Sequence, residues 1–235
     1  MDKSEINRGE WRQIQMKAIR KRHSVRAYID RAIEPDTLSL LNQYINECNR
    51  ESGFNIQLCA NEPAAFSGAM ARYGKFRNVK NYIAVVGKDD NSLDEKAGYY
   101  GEKIVLKAQE LGLNTCWVAL TFSKSKTKKT IKIKRGEKLL LVISLGYGET
   151  DGIPHKGKTI EQLCRTGGKM PEWFRNGMEA VQLAPTARNQ QKSIFHLTGD
   201  EVKAEAGTGF YTKVDLGIAK CHFEIGSGRK LMQEP

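Results

Sequence analysis

The sequence predicts an α+β protein of two unlike lobes, and three observations carry that reading. The runs 82–86 (Tyr-Ile-Ala-Val-Val) and 139–145 (Leu-Leu-Leu-Val-Ile-Ser-Leu) contain no charge, as strands buried on both faces require. Around them, apolar residues recur at helical spacing. Each lobe also opens on an amphipathic helix and later carries a strand, with Gly98-Tyr99-Tyr100 leading into one long helix and Gly209-Phe210-Tyr211 into another. That correspondence reads as a decayed internal duplication whose copies would close as a pseudo-dimer within one chain. The expected division is 1–165 and 166–235.

In order along the chain, Trp11, Ile14, Ala18 and Ile19 give the first amphipathic helix, ending near Lys21-Arg22. Glu34-Pro35-Asp36-Thr37 starts the second: Pro35 stops what precedes and Asp36 or Thr37 caps. Leu38, Leu41, Ile45 and Cys48 then share a face as far as Arg50. Gly53 breaks the chain before 54–58 alternates as a half-buried strand. The stretch 61–78, with Pro63, Gly68 and Gly74, is loop-rich and receives no element. Ala97, Gly101, Ile104, Ala108 and Leu111 are spaced for a long helix with Gly112 just past its end. Its small residues let another backbone approach closely. Residues 114–120 read as a buried strand. The stretch 123–138 holds seven Lys and one Arg in sixteen residues, and 130–134 alternates apolar and basic as a surface strand or loop does.

The second lobe follows His155-Lys156-Gly157-Lys158. Pro171 suits the first turn of a helix carrying Phe174, Met178 and Val181 on one side. The run 184–191 stops that helix, and 193–198 reads as a strand. Val214, Ile218, Cys221 and Ile225 define a last helix closed by Gly226, with 226–230 as a frayed tail.

Composition excludes several classes. With 40% hydrophobic and 28% charged residues in 235, the chain is an ordinary globular protein with a sizeable core. No apolar run of about 18 residues occurs, so no spanning helix and no membrane partner is expected. Met1-Asp2-Lys3-Ser4-Glu5 lacks the basic-then-apolar order of a secretory signal, and a cytoplasmic location is expected. Five widely spaced cysteines without a C-x-x-C pair argue against a structural zinc or a disulfide scaffold; they read as small core residues. His155, His196 and His222 have no metal-like spacing either. The formal charge of +11 fits a nucleic-acid surface, a field that draws anionic small molecules, or a bias without a partner. Stretch 123–138 has no interleaved aromatics to stack on bases, so a solvated face is favoured there over nucleic acid.

The stretch Lys21-Arg22-His23-Ser24-Val25-Arg26-Ala27-Tyr28 lies where a helix-period segment gives way to an extended one. In extended backbone Arg22, Ser24 and Arg26 point the same way. Two guanidinium forks and a hydroxyl converging on one volume suit a phosphate monoester. The alternative is a basic helix terminus that complements its own dipole. Gly146-Tyr147-Gly148 opens no visible helix and is weak as a dinucleotide signal.

Four stretches together resemble the FMN-dependent nitroreductase family. They are the basic stretch just described; Ala184-Pro185-Thr186-Ala187-Arg188-Asn189-Gln190-Gln191, similar to the family's Ala-Pro-Ser-x-x-Asn-x-Gln; Tyr100 through Trp117; and Gly146-Tyr147-Gly148 with 156–163. The order departs from the usual pattern, in which the Ala-Pro-Ser motif follows the basic one by some thirty residues; here it lies in the second lobe. The arrangement resembles the branch with two half-domains fused in one chain. The resemblance implies a nitroreductase-like mixed β-sheet core with surrounding helices, one FMN held by both halves, and a functional monomer, with further association left open. It implies that Arg22, His23, Ser24 and Arg26 hold the phosphate and ribityl end, and that Lys156 and Lys158 close on the phosphate. Pro185, Thr186, Ala187 and Asn189 would face the ribityl chain and ring edge. Backbone N–H groups near Ala119 and Leu120 would face the flavin N5, where usual members have glycine.

The activity so implied is a ping-pong transfer of hydride from NADH or NADPH to a small, electron-poor acceptor such as a nitroaromatic or quinone. No catalytic side chain is needed, because the flavin carries the chemistry and protons come from water. Alternatives are other reactions on the same scaffold, dehalogenation or desaturation, a flavin-binding module without turnover, or a basic nucleic-acid-binding protein.

Overall fold

A computed structural model describes residues 8–231. The chain runs α1 (Arg8–Lys21), α2 (Pro35–Ser52), β1 (Gln57–Cys59), a 3-10 turn (Pro63–Phe66), α3 (Ala69–Tyr73), β2 (Asn81–Lys88) and α4 (Leu93–Glu110). It continues through β3 (Asn114–Val118), α5 (Lys124–Thr130), β4 (Glu137–Gly146), α6 (Ile160–Leu163), β5 (Cys164–Thr166) and α7 (Glu172–Val181). A second 3-10 turn (Ala187–Asn189), β6 (Ser193–Thr198), β7 (Glu201–Ala206) and α8 (Thr212–Ser227) complete it. The fold is α+β, as the sequence predicts. Residues 22–93 and 103–154 form one unit; 8–21, 94–102 and 155–231 form the other, so α4 contributes to both.

The first unit is built on an antiparallel sheet in the order β1-β2-β4-β3. The two charge-free runs are its central pair, with Tyr82 opposite Ser144 and Ala84 opposite Val142. Seven residues of β2 and eight of β4 are buried, which is why neither run shows alternation. Gly112, at φ +78, follows α4 as the left-handed residue expected there. Pro35 is the first helical residue of α2 with Glu34 as its cap, two or three positions earlier than the sequence suggests. A proline fits at that point because the first amide of a helix has no acceptor to reach.

Stretch 123–138 is helical at its start, not a strand or loop throughout. Ser123 caps α5 by accepting from Lys126 N, and Thr127, its buried residue, donates to Ser123 O at 2.9 Å. Beyond it Ile131 and Ile133 do turn inward while Lys132 and Lys134 stay exposed. No ladder forms, because the Asn55 and Gln57 side chains take the Lys132 carbonyl, and Gln57 Oε1 accepts its amide. The stretch 61–78 holds the first 3-10 turn and α3.

In the second unit, residues 94–102 of α4 pack on α8. A Cβ on Gly98 would lie 2.0 Å from Val214 O, and one on Gly217 2.0 Å from Glu95 O. Each helix therefore uses a glycine to admit the other's backbone. The small-residue pattern anticipates such an approach, although the admitting glycine is Gly98 and not Gly101. Lys220 Nζ meets Glu95 at 2.5 Å, Tyr99 donates to Glu224 Oε2 at 2.6 Å, and His222 meets Glu102 at 2.9 Å along the same seam. Gly98 lies within α4 whereas Gly209 precedes α8, so the two Gly-aromatic-aromatic stretches occupy different local structures.

The core of this unit gathers Phe174 and Met178 of α7, Phe195 of β6 and Phe223 of α8, each below 2% exposure. Burying each side chain contributes roughly 1.5–3 kcal/mol. Gly226 is helical, and the cap is Gly228 at φ +71. A Cβ on Gly226 would meet Asn176 O at 2.5 Å, so its smallness serves the α7 contact and not the helix end. The tail is held as well: the Arg229 guanidinium lies 3.8 Å over the Trp173 ring. On the other side, Arg12 of α1 donates from Nε to Ile225 O at 3.1 Å and from Nη2 to Gly226 O. All five cysteines are buried.

Candidate functional site

After α1 ends, residues 22–28 run extended along the first unit's sheet. Ser24 bridges Thr115 of β3 in parallel, Val25 N donates to Thr115 O at 2.9 Å, and Tyr28 pairs with Gly148. Val25 and Tyr28 turn into the core. The Tyr28 hydroxyl donates to Val25 O and shares a hydrogen bond with Ser144 Oγ, both at 2.7 Å. Burial pushes that phenol well above its usual range.

Of the three polar positions, Arg22 is buried while Ser24 and Arg26 are exposed. Burial holds the Cys116 thiol above its usual range, while the Arg26 charge, a hydrogen bond from Ser24 and the Arg22 charge all act on the same sulfur in the other direction. Arg22, Ser24 and Arg26 thus all bear on the Cys116 thiol of β3. Burial, then the neighbouring Arg22 charge, holds His23 below the ordinary imidazole range, and Asp151 opposes them. Ala119 and Leu120 continue the chain directly beyond β3, with Leu120 60% exposed.

Gly146-Tyr147-Gly148 serves this stretch by packing. A Cβ on Gly146 would meet the Tyr28 ring at 2.9 Å, and one on Gly148 would meet Thr150 O at 2.4 Å and Val25 at 2.9 Å. Ile29 N donates to Tyr147 O, and the Arg31 guanidinium covers the Tyr147 ring at 4.2 Å.

The remaining expected residues assemble within the second unit, around Gln191. Its Oε1 accepts from Lys158 N at 2.7 Å, and its Nε2 donates to Lys156 O at 2.8 Å and Asn189 Oδ1 at 2.7 Å. Lys158 Nζ donates to Gln191 O, Asn189 Nδ2 to Lys156 O, and Gln191 N to Thr186 Oγ1. Lys156, Lys158, Thr186 and Asn189 are therefore one hydrogen-bonded cluster, with Pro185 and Ala187 on the same loop. Arg22, His23, Ser24, Arg26, Ala119 and Leu120 belong to the other unit.

The 186–191 loop is strained: Arg188, Asn189 and Gln191 have φ of 53°, 55° and 46°. Each left-handed non-glycine costs roughly 1–2 kcal/mol, so something must hold the loop. Asp215, which the sequence reading passed over, does so. It is 3% exposed and accepts from Ala187 N and from Gln190 Nε2, both at 2.8 Å. Burial outweighs those two bonds and pushes its carboxyl from 3.8 up to about 6.

A raised carboxyl means that the folded chain holds a proton the unfolded chain has released, so stability falls as pH rises through the window 3.8 to about 6. At 1.36 kcal/mol per unit, the cost above that window is about 2–3 kcal/mol relative to acid. Asp215→Asn should remove this slope. Urea denaturation of both proteins at pH 4 to 7 checks it, and parallel curves would refute it.

Comparison with known proteins places the fold. A family described as "Putative TM nitroreductase" matches residues 15–227. A solved structure from Thermotoga maritima MSB8, a nitroreductase named with the same qualifier, is 20% identical at a TM-score of 0.63, covering 94% of this chain and 89% of its own. A similarly qualified nitroreductase from Desulfovibrio desulfuricans, in complex with FMN, is 18% identical at 0.51, covering 67% of this chain and 98% of its own. A protein from Bacteroides thetaiotaomicron VPI-5482, so qualified and named NADH dehydrogenase/NAD(P)H nitroreductase, is 17% identical at 0.51, covering 63% and 95%. No curated protein matches the chain. The family match takes in segments of both units, and the chain belongs to the TM nitroreductase family.

Proposed function

We propose that this chain is an FMN-dependent oxidoreductase that passes hydride from NADH or NADPH to a small, electron-poor acceptor such as a nitroaromatic or quinone, in a ping-pong cycle. Family membership supports the broad class, an oxidoreductase. The FMN complex of the Desulfovibrio relative and the nicotinamide in the Bacteroides name support the choice of cofactor and donor. The observation that supports the reading is the run 22–28 laid against β3, with Ser24 bridged to Thr115 and Arg22, Ser24 and Arg26 all bearing on the Cys116 thiol. Two guanidinium groups and a hydroxyl fit a phosphate monoester in charge and in donor geometry.

In this reading Arg22, His23, Ser24 and Arg26 grip the phosphate and ribityl end, and the Lys156 and Lys158 cations add to them. Pro185, Thr186, Ala187 and Asn189 face the ribityl chain and ring edge, held in place by Gln191 and Asp215. Backbone amides at Ala119 and Leu120 face N5. When bound, FMN supplies a ring that takes up hydride and gives it to the acceptor. The chain's own task is to bind and orient, and no side chain need act as acid or base. Each charge-assisted hydrogen bond contributes about 1.5–3 kcal/mol, so four would retain the cofactor without a covalent link. One FMN per chain makes a functional monomer, which we place in the cytoplasm.

The test is the visible spectrum of purified protein, with oxidised-flavin bands that bleach on anaerobic addition of NADH or NADPH. Arg22→Ala with Arg26→Ala should weaken FMN binding at least about a hundredfold, the equivalent of two such bonds. Arg26→Gln alone, at an exposed position, keeps the test usable if the buried Arg22 change disturbs folding. Full flavin retention in both variants would sink the assignment.

A further inference from the structure

The basic stretch at 123–138 is not absorbed by the flavin reading, and the structure joins it to a second segment. Ser123 N donates to Ala65 O at 2.8 Å, and Lys126 Nζ reaches Ser67 Oγ at 2.9 Å. A Cβ on Gly74 would lie 2.7 Å from Thr121, so the end of α3 lies against the strand-to-α5 connection. α3 is a single turn that buries Ala71 and exposes Met70 by 51% and Tyr73 by 82%. Three residues apart on a helix, those two share a face. Arg72 and Lys75 flank them, and Lys124, Lys126, Lys128 and Lys129 are exposed on the adjoining α5. No Asp or Glu occurs in 63–76 or in 119–136.

An exposed thioether and phenol ringed by cations of one sign is complementary to a surface that is anionic outside and apolar beneath. We propose that this face of the first unit docks the protein peripherally on an anionic phospholipid bilayer, with Met70 and Tyr73 entering the headgroup zone and the lysines on the lipid phosphates. Lipid is favoured over nucleic acid on two grounds. Beside Tyr73 the apolar partner is Met70, which lies in the interface but offers no ring for base stacking. The cations are mainly Lys, strongly hydrated point charges that suit diffuse attraction, where bidentate phosphate recognition would favour Arg. That no helix among the described residues can span a bilayer bears on crossing one and not on lying against one. The inference is independent of the FMN reading.

The test is cosedimentation of the purified chain with vesicles of phosphatidylcholine alone or with about 30% phosphatidylglycerol, at about 0.1 M and about 1 M salt. Binding should be at least about tenfold stronger on the charged vesicles at low salt and largely lost at high salt. Lys124→Glu, Lys126→Glu, Lys128→Glu and Lys129→Glu combined should abolish it. The same number of reversals at exposed Lys17, Lys169, Lys203 and Lys213 should leave most of it, which separates the face from net charge. Met70→Ser with Tyr73→Ser should weaken it about tenfold. Indifference to phosphatidylglycerol, equal loss in both charge sets, an unchanged Met70/Tyr73 variant, or tighter binding of a fluorescent single-stranded RNA or DNA oligonucleotide would each overturn the proposal.

Discussion

Gly98→Ala should lower the unfolding midpoint, although alanine is the better helix former by about 1 kcal/mol. The new methyl would lie 2.0 Å from the Val214 carbonyl oxygen, where ordinary contact begins near 3.4 Å. Both sides of that contact are helical backbone, so no side chain can swing away and the helices must part. Overpacking of this kind costs typically 1–3 kcal/mol and occasionally more, and the seam around it carries the Lys220–Glu95 and Tyr99–Glu224 bonds. Less the propensity gain, a net loss of about 1–2 kcal/mol corresponds to a fall of about 2–8 °C for a chain of this size. Gly217→Ala should do the same, since its methyl would meet Glu95 O at 2.0 Å. The pair should be less than additive, because the first substitution already opens the crossing that the second needs. A midpoint that rises with Gly98→Ala would show that propensity, not the close approach, governs this position.

Glu102→Leu should be still more costly, at about 3–5 kcal/mol, because it strips a partner from a buried ionisable group. Glu102 and His222 are both 0% exposed. His222 Nδ1 faces Ala180 O at 2.9 Å, and a carbonyl can only accept, so that nitrogen carries hydrogen. Nε2 and Glu102 Oε1, 2.9 Å apart, then share one proton between them. Leucine leaves Nε2 facing hydrocarbon, whereas glutamine can donate to it from its amide. The expected ranking is wild type, then Glu102→Gln, then Glu102→Leu, measured by urea denaturation at neutral pH. Equal losses for the two variants would mean that the volume of the site matters and the shared proton does not.

Uninterrupted apolar runs located β2 and β4 because both faces of those strands are covered, and Gly112 marked the end of α4 because only a left-handed residue fits there. The basic stretch stood out as a local pattern of charge, but strict alternation does not describe it, since Val25 and Tyr28, three apart, both turn into the core. β7 was missed, although Glu201–Ala206 alternates strictly after a Gly199-Asp200 turn. Its inward residues are one valine and two alanines, which give a faint apolar signal. Asp215 was illegible for a different reason. An acid in the first turn of a helix is ordinary composition. Its bond to Ala187 spans 28 positions of sequence and exists only because the 186–191 loop folds back to it. Gly98 and Gly217 stood in plain view as small residues, but nothing in one dimension says that they admit each other's helix.

The contacts of α1 bear on how the protein is made. Arg12 leaves the ribosome well before its carbonyl acceptors at Ile225 and Gly226, which are more than two hundred residues downstream. During translation the sheet unit, continuous from 22 to 154 apart from a short piece of α4, can settle while the opening helix still waits. Its apolar side stays uncovered until α8 emerges, a period in which a chaperone that shields nascent amphipathic segments would have its longest opportunity to act.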